Sequence, residues 1–272
     1  MNKLGPTVQE LFDMRGMVAV VTGAAHNLGF DMALALAEAG ADVVITSRKL
    51  SSAKVSAHKI SELTKRTVLP LKLDVRHETK VETMVDAVME RFGKIDILVN
   101  NAGNVYSTPD TVPFEKRQLK LWQEVISINL TGVFLCSKHV VAKSMKPKKT
   151  GVIINIGSTV GIIGKDRRVY QDTDMGGATL DYHAAKGGVI SMTRDMAVYL
   201  APFGIRVNCI SPCGFFRNQP DAFVKAYSKT IPMGRMGKDG KEMKGAVVFL
   251  ASEASSYCTG HNLVIDGGLT VW

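Results

Sequence analysis

Near its N-terminus the chain reads Val18-Ala-Val-Val-Thr-Gly-Ala-Ala-His-Asn-Leu-Gly29, an apolar run followed by a turn with two glycines. The run predicts a buried strand, and the residues after the turn predict a helix. Gly23 permits a tight turn, and Gly29 allows helix and strand to approach closely. The N–H groups at this helix N-terminus would bind pyrophosphate, because they lack intrahelical partners and lie at the positive end of the helix dipole. The middle position, usually glycine, is Asn27, and asparagine tolerates a positive φ. Taken alone, the turn could equally be an ordinary strand-to-helix connection.

Short runs rich in β-branched residues recur along the chain and alternate with segments of helical periodicity. The runs are mostly continuous, which is typical of strands buried on both faces of a parallel sheet. The predicted strands are Val18–Thr22, Asp42–Ser47, Val68–Leu73, Ile95–Asn100, Val152–Gly157, Arg206–Ile210 and Asn262–Ile265. The predicted helices include Leu28–Ala39, Thr79–Phe92, Tyr182–Leu200 and Lys241–Ala251. This alternation predicts an α/β fold, a doubly wound parallel sheet of the Rossmann type with about seven strands and helices on both faces. One domain over residues 1–272 is expected.

Composition and charge exclude several other classes of protein. The net charge is +9, but the basic residues form short separate clusters without interleaved aromatic residues, so no nucleic-acid partner is expected. The cysteines form no CxxC pair and have no histidine companions, so no metal site is expected. Residues 1–16 lack the apolar core of a signal peptide, and no later run approaches a membrane span. We therefore expect a cytoplasmic protein without a membrane partner.

The end of the second predicted strand indicates which dinucleotide would bind. It reads Ile45-Thr-Ser-Arg-Lys49, without the acidic residue that holds the ribose 2′-hydroxyl of NAD. Ser47 and Arg48 instead offer a hydroxyl and a guanidinium to a 2′-phosphate, and His26 could approach the same phosphate. The alternative is that Arg48 merely begins a solvated helix. The sequence favours NADP, and NAD is the other option.

Tyr182 and Lys186 lie four residues apart on a predicted helix, so both side chains project from one face. An ammonium beside the phenol would lower its pKa, and a drop of about three units corresponds to about 4 kcal/mol. Tyr182 would then act as general acid–base on a carbonyl or hydroxyl. Ser158 could donate to the same substrate oxygen, and Asn129 could hold a water or backbone group linking Lys186 to solvent. A lone tyrosine–lysine pair is more often incidental, but its place after a strand-end serine in a dinucleotide fold favours function.

Together these residues resemble the short-chain dehydrogenase/reductase family, of the single-domain type, from Leu11 to Gly268. The resemblance lies in Thr22-Gly23 through Gly29, Leu73-Asp74-Val75, Asn100-Asn101-Ala102-Gly103, Asn129, Ser158, Tyr182 with Lys186, Ser211-Pro212 and Ile265-Asp266-Gly267-Gly268. It implies hydride transfer between NAD(P) and a carbonyl/alcohol pair, a homo-oligomer (commonly a tetramer), and a catalytic tetrad of Asn129, Ser158, Tyr182 and Lys186. The implied cofactor contacts are Gly23, His26, Asn27, Leu28, Gly29, Ser47, Arg48, Asp74, Val75, Asn101, Ala102, Gly103, Tyr182, Lys186, Pro212 and Gly214.

Two departures from the family pattern concern the substrate end. Cys213 stands where the family usually has glycine after proline, which bears on the backbone contact to the nicotinamide amide. Twenty-three residues separate Ser158 from Tyr182, more than is usual in the family. The extra segment, near 162–181, should lie at the active-site mouth. A loop near 213–236 is expected to form a mobile substrate lid, with an apolar inner surface from Phe215, Phe216 and Met233.

The residues of the insertion give an indication of the substrate class. They include the polar stretches Lys165-Asp-Arg-Arg168 and Gln171-Asp-Thr-Asp174. Arg167 or Arg168 could bind a carboxylate while the aspartates hold hydroxyls; a salt-bridged loop or subunit contact is about as plausible. The start Leu11-Phe-Asp-Met-Arg-Gly also resembles the gluconate 5-dehydrogenase-like branch of the family. A small-molecule substrate, favoured as a sugar, polyol or sugar acid, is therefore predicted. The apolar lid keeps a 3-oxoacyl thioester (acyl-carrier-protein) reductase as the alternative. A non-catalytic dinucleotide-sensing regulator is disfavoured, because all four tetrad residues are present.

Overall fold

The computed structural model describes residues 5–104, 114–171 and 173–272, so Asp172 of the predicted insertion lies outside them. Within these ranges the strands are β1 Val18–Val21, β2 Asp42–Ser47, β3 Val68–Lys72, β4 Ile97–Asn100, β5 Gly151–Ile156, β6 Ile205–Pro212, β7 Phe215–Phe216, β8 Gly237–Lys238 and β9 Asn262–Ile265. The helices are α1 Val8–Phe12, α2 Asn27–Glu38, α3 Leu50–Thr64, α4 Glu78–Phe92, α5 Leu119–Ile126, α6 Gly132–Val140, α7 Lys146–Lys148, α8 Leu180–Leu200, α9 Asp221–Ser228 and α10 Glu242–Ala251.

One large sheet organises the described part of the chain. Its seven strands lie in the order β3-β2-β1-β4-β5-β6-β9, and every neighbouring pair is parallel. The order runs outward from β1 in one direction and from β4 in the other, so the topological switch point lies between these two strands. Ligands of such sheets bind in the crevice outside the carboxyl ends of the strands at this point.

Alternate residues of the central strands bury in two separate apolar layers. Ala19, Val21 and Val43 pack with α2, α3 and α10 on one face, whereas Val18 and Val20 pack with α4, α6 and α8 on the other. Burial on both faces explains why these strands are continuous apolar runs in the sequence. The predicted fold class is confirmed, and the seven predicted strands agree with the observed ones to within two residues at each end.

The helical run Leu119–Lys148 contradicts one expectation from the sequence. It is 30 residues long and apolar enough to cross a membrane by length and composition, so the expectation that no later run approaches a span is wrong on that criterion. Half of its most apolar window is buried within the protein, where Leu135, Cys136 and Val140 pack into the second apolar layer. A core helix against a sheet needs the same apolar composition as a span, so composition alone does not separate the two.

Candidate active site

The turn between β1 and α2 has the conformation that its sequence predicts. Gly23 has φ +65°, and a Cβ there would lie 2.9 Å from the Cα of Ala102. A Cβ on Gly29 would lie 2.5 Å from Asn101 Nδ2 and 2.6 Å from the Gly23 carbonyl oxygen. Asn27 takes a left-handed φ of 53°, as the tolerance of asparagine predicts. The turn is thus free of obstructing side chains where the N-terminus of α2 opens, which fits a dinucleotide pyrophosphate.

Thr22 and Asn101 fasten this turn to the end of β4. The Thr22 hydroxyl accepts hydrogen bonds from the N–H groups of Asn101 and Ala102, both at 3.0 Å. The Asn101 amide donates to the carbonyl oxygens of Thr22 at 2.9 Å and Gly23 at 3.1 Å. The two strand ends at the switch point are therefore joined into one fixed edge. The family motif in the sequence includes Thr22, but the sequence does not show that Thr22 lies next to β4. That placement depends on the strand order, in which β1 and β4 are neighbours.

A cleft of about 500 Å³ extends over the carboxyl ends of the strands. Every residue predicted to contact the cofactor lines it: Gly23, His26, Asn27, Leu28, Gly29, Ser47, Arg48, Asp74, Val75, Asn101, Ala102, Gly103, Tyr182, Lys186, Pro212 and Gly214. Ser158 lines the same cleft. Asn129 is fully buried and packs where a Cβ on Gly103 would lie, 2.8 Å from its Oδ1. The four predicted catalytic residues and the glycine turn thus meet at one site.

At the end of the cleft near Ser47 and Arg48, the carboxylate of Asp74 is paired with Arg76. Arg76 Nε donates to Asp74 Oδ1 at 2.9 Å, and its Nη2 donates to Oδ2 at 2.6 Å. These hydrogen bonds lower the pKa of Asp74 to about 2, so the carboxylate stays ionised at neutral pH. Arg48 lies exposed on the same part of the cleft, next to Ser47.

Tyr182 and Lys186 share one face of α8, but the electrostatics differ from the expectation. Lys186 Nζ lies 5.5 Å from the centroid of the Tyr182 ring and donates to the carbonyl oxygen of Ile156 at 2.6 Å. Burial raises the pKa of Tyr182 to about 12 and lowers that of Lys186 to about 8. The predicted lowering of the phenol pKa is therefore wrong. Desolvation disfavours both charged forms, and the lysine directs its charge toward a carbonyl.

Asn129 and Ser158 are each placed by an irregular helical turn. Asn129 lies in a π-helical turn, Ser127–Thr131, and π turns are frequent at functional sites. Its Nδ2 donates to the carbonyl of Asn104 at 2.9 Å, and its Oδ1 accepts from the N–H of Asn104 at 3.2 Å. Asn129 thus holds a backbone group, one of the two options predicted for it. Ser158 Oγ accepts from the N–H of Val160 at 3.4 Å, which leaves its hydroxyl proton available to a substrate.

The insertion and the lid pack against each other at the substrate end. The Tyr170 ring of the insertion lies 5.2 Å from the Phe223 ring of α9, and Phe223 lies 5.3 Å from Tyr227. Val169 and Met236 are buried in the same cluster. Of these residues, Tyr170, Phe223, Tyr227 and Met236 line the cleft. The insertion therefore presents apolar side chains to the site, although its sequence is polar.

A family model described as enoyl-(acyl carrier protein) reductase matches residues 23–270. The chain is also 34% identical over 271 residues to a 5-keto-D-gluconate 5-reductase of Escherichia coli, across 97% of this chain and 99% of that protein. This protein belongs to the short-chain dehydrogenase/reductase family. The resemblance noted in the sequence is confirmed, and with it an NAD(P)-dependent oxidoreductase that acts on hydroxyl or keto groups.

Two further relatives of this short-chain dehydrogenase/reductase differ in what their names say. A 3-oxoacyl-(acyl-carrier-protein) reductase of Vibrio cholerae is 35% identical over 262 residues, across 94% of this chain and 98% of that protein. The solved structure of a gluconate 5-dehydrogenase from Burkholderia cenocepacia in complex with NADP and tartrate matches with a TM-score of 0.87 and 31% identity. That match covers 98% of this chain and 100% of the other. The comparisons therefore establish the reaction class. They do not separate the two substrate classes, which must be argued from the residues of the cleft.

At the substrate end of this short-chain dehydrogenase/reductase, the arginines of the insertion fit the salt-bridged loop, which the sequence left open beside a carboxylate site. Among the described residues, neither Arg167 nor Arg168 lines the cleft; the Arg168 side chain is 83% exposed and pairs with Asp166. Phe215 does line the cleft, but Phe216 is 47% exposed and Met233 is 64% exposed, and neither faces it. The sequence analysis missed the residues that take their place: Tyr170, Met175, Arg217, Gln219, Phe223, Tyr227 and Met236. The helical spacing of Phe223 and Tyr227 within the lid was the available signal.

Proposed function

We propose that this protein transfers a hydride between NADP(H) and a carbonyl/secondary-alcohol pair, with Tyr182 exchanging the proton. The observation that carries the proposal is one cleft lined by the Gly23–Gly29 turn at one end and by Ser158, Tyr182 and Lys186 at the other. The dinucleotide, when bound, supplies or accepts the hydride. The protein supplies orientation, hydrogen bonds and the proton.

The choice of NADP is supported by the residues at the end of β2. Ser47 and Arg48 line the cleft, and that strand end carries no acidic side chain to compete for a phosphate. A guanidinium fork suits a 2′-phosphate, whereas NAD-selective folds place an acid at this position. The relative from Burkholderia cenocepacia whose structure contains NADP adds support. NAD remains the second option for the same cleft.

The proton chemistry favours reduction of a carbonyl. With a pKa of about 12, Tyr182 is protonated at neutral pH and can donate its proton to a substrate oxygen that gains negative charge. Ser158 would donate a hydrogen bond to the same oxygen, which stabilises developing charge. Oxidation would need the phenolate, and a positive charge near the ring would have to offset the desolvation of that anion. Asn129 donates to the carbonyl oxygen of Asn104, and Lys186 donates to that of Ile156.

We infer a keto-sugar acid or polyol as the favoured substrate. The 5-keto-D-gluconate 5-reductase of Escherichia coli supports this inference across nearly the whole chain. Three polar side chains line the substrate end of the cleft: Arg217, whose Nε and Nη2 already donate to Asp239; Gln219, whose Nε2 donates to the Phe215 carbonyl; and Tyr227. The Tyr227 oxygen already accepts from the N–H of Gly214 at 2.9 Å, so its proton remains free to donate. The arginines of the insertion are not part of this inference.

A 3-oxoacyl thioester is the second candidate substrate, because apolar side chains line one side of the cleft at its substrate end. Tyr170, Phe223 and Met236 line the substrate end and would suit an acyl chain better than a row of hydroxyls. The Vibrio cholerae relative acts, by its name, on such thioesters. The insertion near 162–181 and the lid near 213–236 would together enclose either substrate.

A substrate panel separates the two candidates. We expect NADPH oxidation with 5-keto-gluconate or a related keto-sugar acid to exceed that with an acetoacetyl thioester by at least about tenfold in kcat/KM. The reverse ratio would make the thioester the substrate class. No NADPH oxidation with either, and none with simple ketones, would remove the proposal. Assembly as a homotetramer, a cytoplasmic location and a single-domain organisation stay predictions from the sequence.

A further inference from the structure

Arg117 and Asp181 form a buried ion pair beside the proposed proton donor. The Asp181 side chain has no exposed surface, and that of Arg117 is 11% exposed. Arg117 Nε donates to Asp181 Oδ2 at 3.0 Å, and Arg117 Nη2 donates to the same oxygen. The other oxygen, Oδ1, accepts from the backbone N–H of Tyr182 at 3.0 Å. One carboxylate thus connects a distant guanidinium to the peptide group of Tyr182.

The position of Tyr182 in its helix makes this connection important. Helix α8 begins at Leu180, so Tyr182 is its third residue, whereas Lys186 lies one turn further in. The Tyr182 N–H also donates to the carbonyl oxygen of Thr179 at 3.0 Å, but this single backbone bond lies in the first turn of a helix, and helix ends fray. The N-cap residue, Thr179, makes no side-chain capping bond. Asp181 therefore supplies both an acceptor and a negative charge at the positive end of the helix dipole.

Arg117 approaches from a different part of the sheet. It follows the short 3-10 helix Phe114–Lys116, in the connection between β4 and α5. The start of that connection, Asn101 to Gly103, lines the cofactor end of the cleft. A guanidinium meets a carboxylate in a restricted geometry, so the pair fixes orientation as well as distance. The pair ties the first turn of α8 to the residue that directly follows the 3-10 helix Phe114–Lys116.

We propose that Arg117 and Asp181 are positioning residues, which hold the first turn of α8 so that the Tyr182 hydroxyl stays aligned with Ser158 and Lys186. Among the described residues, neither lines the cleft, so both act through Tyr182. The inference rests on the proposed role of Tyr182. It predicts a loss of turnover that stability alone does not explain, because a shift of about 1 Å in a reacting group costs about 10²-fold in rate.

Asp181→Asn is the first test, because it keeps the shape and one acceptor oxygen while removing the charge. We expect kcat to fall about 10- to 100-fold, with KM for NADPH within about twofold of the original value. The matched control is Asp42→Asn at the amino end of β2. Asp42 Oδ1 also accepts from an arginine, Arg66 Nη2 at 2.8 Å, and from a backbone N–H, that of Thr67 at 3.1 Å. That variant should lose thermal stability and keep kcat.

The double variant Arg117→Met/Asp181→Leu separates positioning from stability. Removing both charges abolishes the penalty of a lone buried charge, so Tm should recover relative to Asp181→Asn. The proposal expects kcat to stay low in this variant. Recovery of kcat together with Tm would overturn it, as would an unchanged kcat in Asp181→Asn. Should Asp181→Asn fail to fold, Arg117→Lys, which keeps the charge but not the fork, takes its place with the same expectation.

Tyr182→Phe, measured in parallel, separates a failure of the proposed function from a failure of the positioning role of Arg117 and Asp181. Full turnover in Tyr182→Phe would remove the proposed function itself. An inactive Tyr182→Phe beside a fully active Asp181→Asn would remove only the positioning role.

Discussion

Gly29→Ala should destabilise the protein and weaken dinucleotide binding together. The added Cβ would lie 2.6 Å from the Gly23 carbonyl oxygen and 2.9 Å from the Cα of Ala24, both backbone atoms. It would also lie 2.5 Å from Asn101 Nδ2, an amide that is already fixed by two hydrogen bonds. To reach ordinary contact at 3.4 Å, α2 must withdraw from the turn by about 0.8 Å.

The magnitude follows from these contacts. Overpacking of one methyl group against backbone costs about 1–3 kcal/mol, and disturbing the Asn101 bonds adds about 1 kcal/mol. The replacement of glycine by alanine in a helix returns about 0.5–1 kcal/mol. We expect a net loss of about 1–3.5 kcal/mol in the free energy of unfolding. The N–H groups at the start of α2 move with the helix, so Kd for NADPH should rise about tenfold or more.

Gly245→Ala in α10 is the matched control for this prediction. No atom lies within 4 Å of a Cβ at that position, and the residue is exposed. The same chemical change should therefore stabilise the protein by about 0.5–1 kcal/mol and leave NADPH binding unaltered. Urea unfolding and fluorescence titration with NADPH measure the two quantities. A Gly29→Ala protein as stable as the original and with the same Kd would refute the close approach of α2 to the turn.

Three further predictions follow from the charges in the cleft. Arg48→Asp should shift the ratio of kcat/KM for NADPH over NADH toward NADH by at least about tenfold, and an unchanged ratio would remove the reason for naming NADP. Lys186→Met should abolish turnover yet raise the free energy of unfolding by about 1–2 kcal/mol at pH 7. Burial lowers the pKa of Lys186 in the folded protein from its ordinary value of 10.5 to about 8. The cost of this buried charge to stability is therefore present below pH 8 and fades as the pH rises to 10.5; chemical unfolding at pH 7 and pH 10 measures this difference. Asp74→Asn should cost about 1 kcal/mol at pH 7 after solvent screening, and the difference from the original protein should vanish as the pH falls from 3.8 to about 2, the folded pKa of Asp74.

Much of the fold could be predicted because its strands are buried on both faces. Where strands and helices alternate along a chain, a continuous apolar run such as Val18–Val21 indicates a buried strand of a parallel sheet. The helices between such strands can then be predicted from their apolar periodicity. The left-handed Asn27 could be predicted as well, because backbone sterics at a turn are local. The run Leu119–Lys148 was different, since burial against a sheet and burial in a membrane demand the same residues.

The parts of the site that the sequence analysis missed depend on contacts between distant segments. Tyr170 and Phe223 come from two segments more than 50 residues apart, and although the helical spacing of Phe223 and Tyr227 indicates an apolar face on α9, nothing in either segment shows that they pack together. The same holds for Arg117 with Asp181, which are 64 positions apart. The direction of the Tyr182 pKa was wrong for a related reason, because desolvation depends on how tightly the surrounding elements close around the phenol.

The proposed function requires that Tyr182 delivers the proton and that NADPH binding does not depend on the Tyr182 hydroxyl. The variant Tyr182→Phe removes this hydroxyl alone, and NADPH binding and steady-state reduction are measured on the same preparation. We expect Kd for NADPH to stay within about twofold, while kcat falls by about 10²- to 10⁴-fold. Reduction at the original rate by the phenylalanine variant would contradict the account.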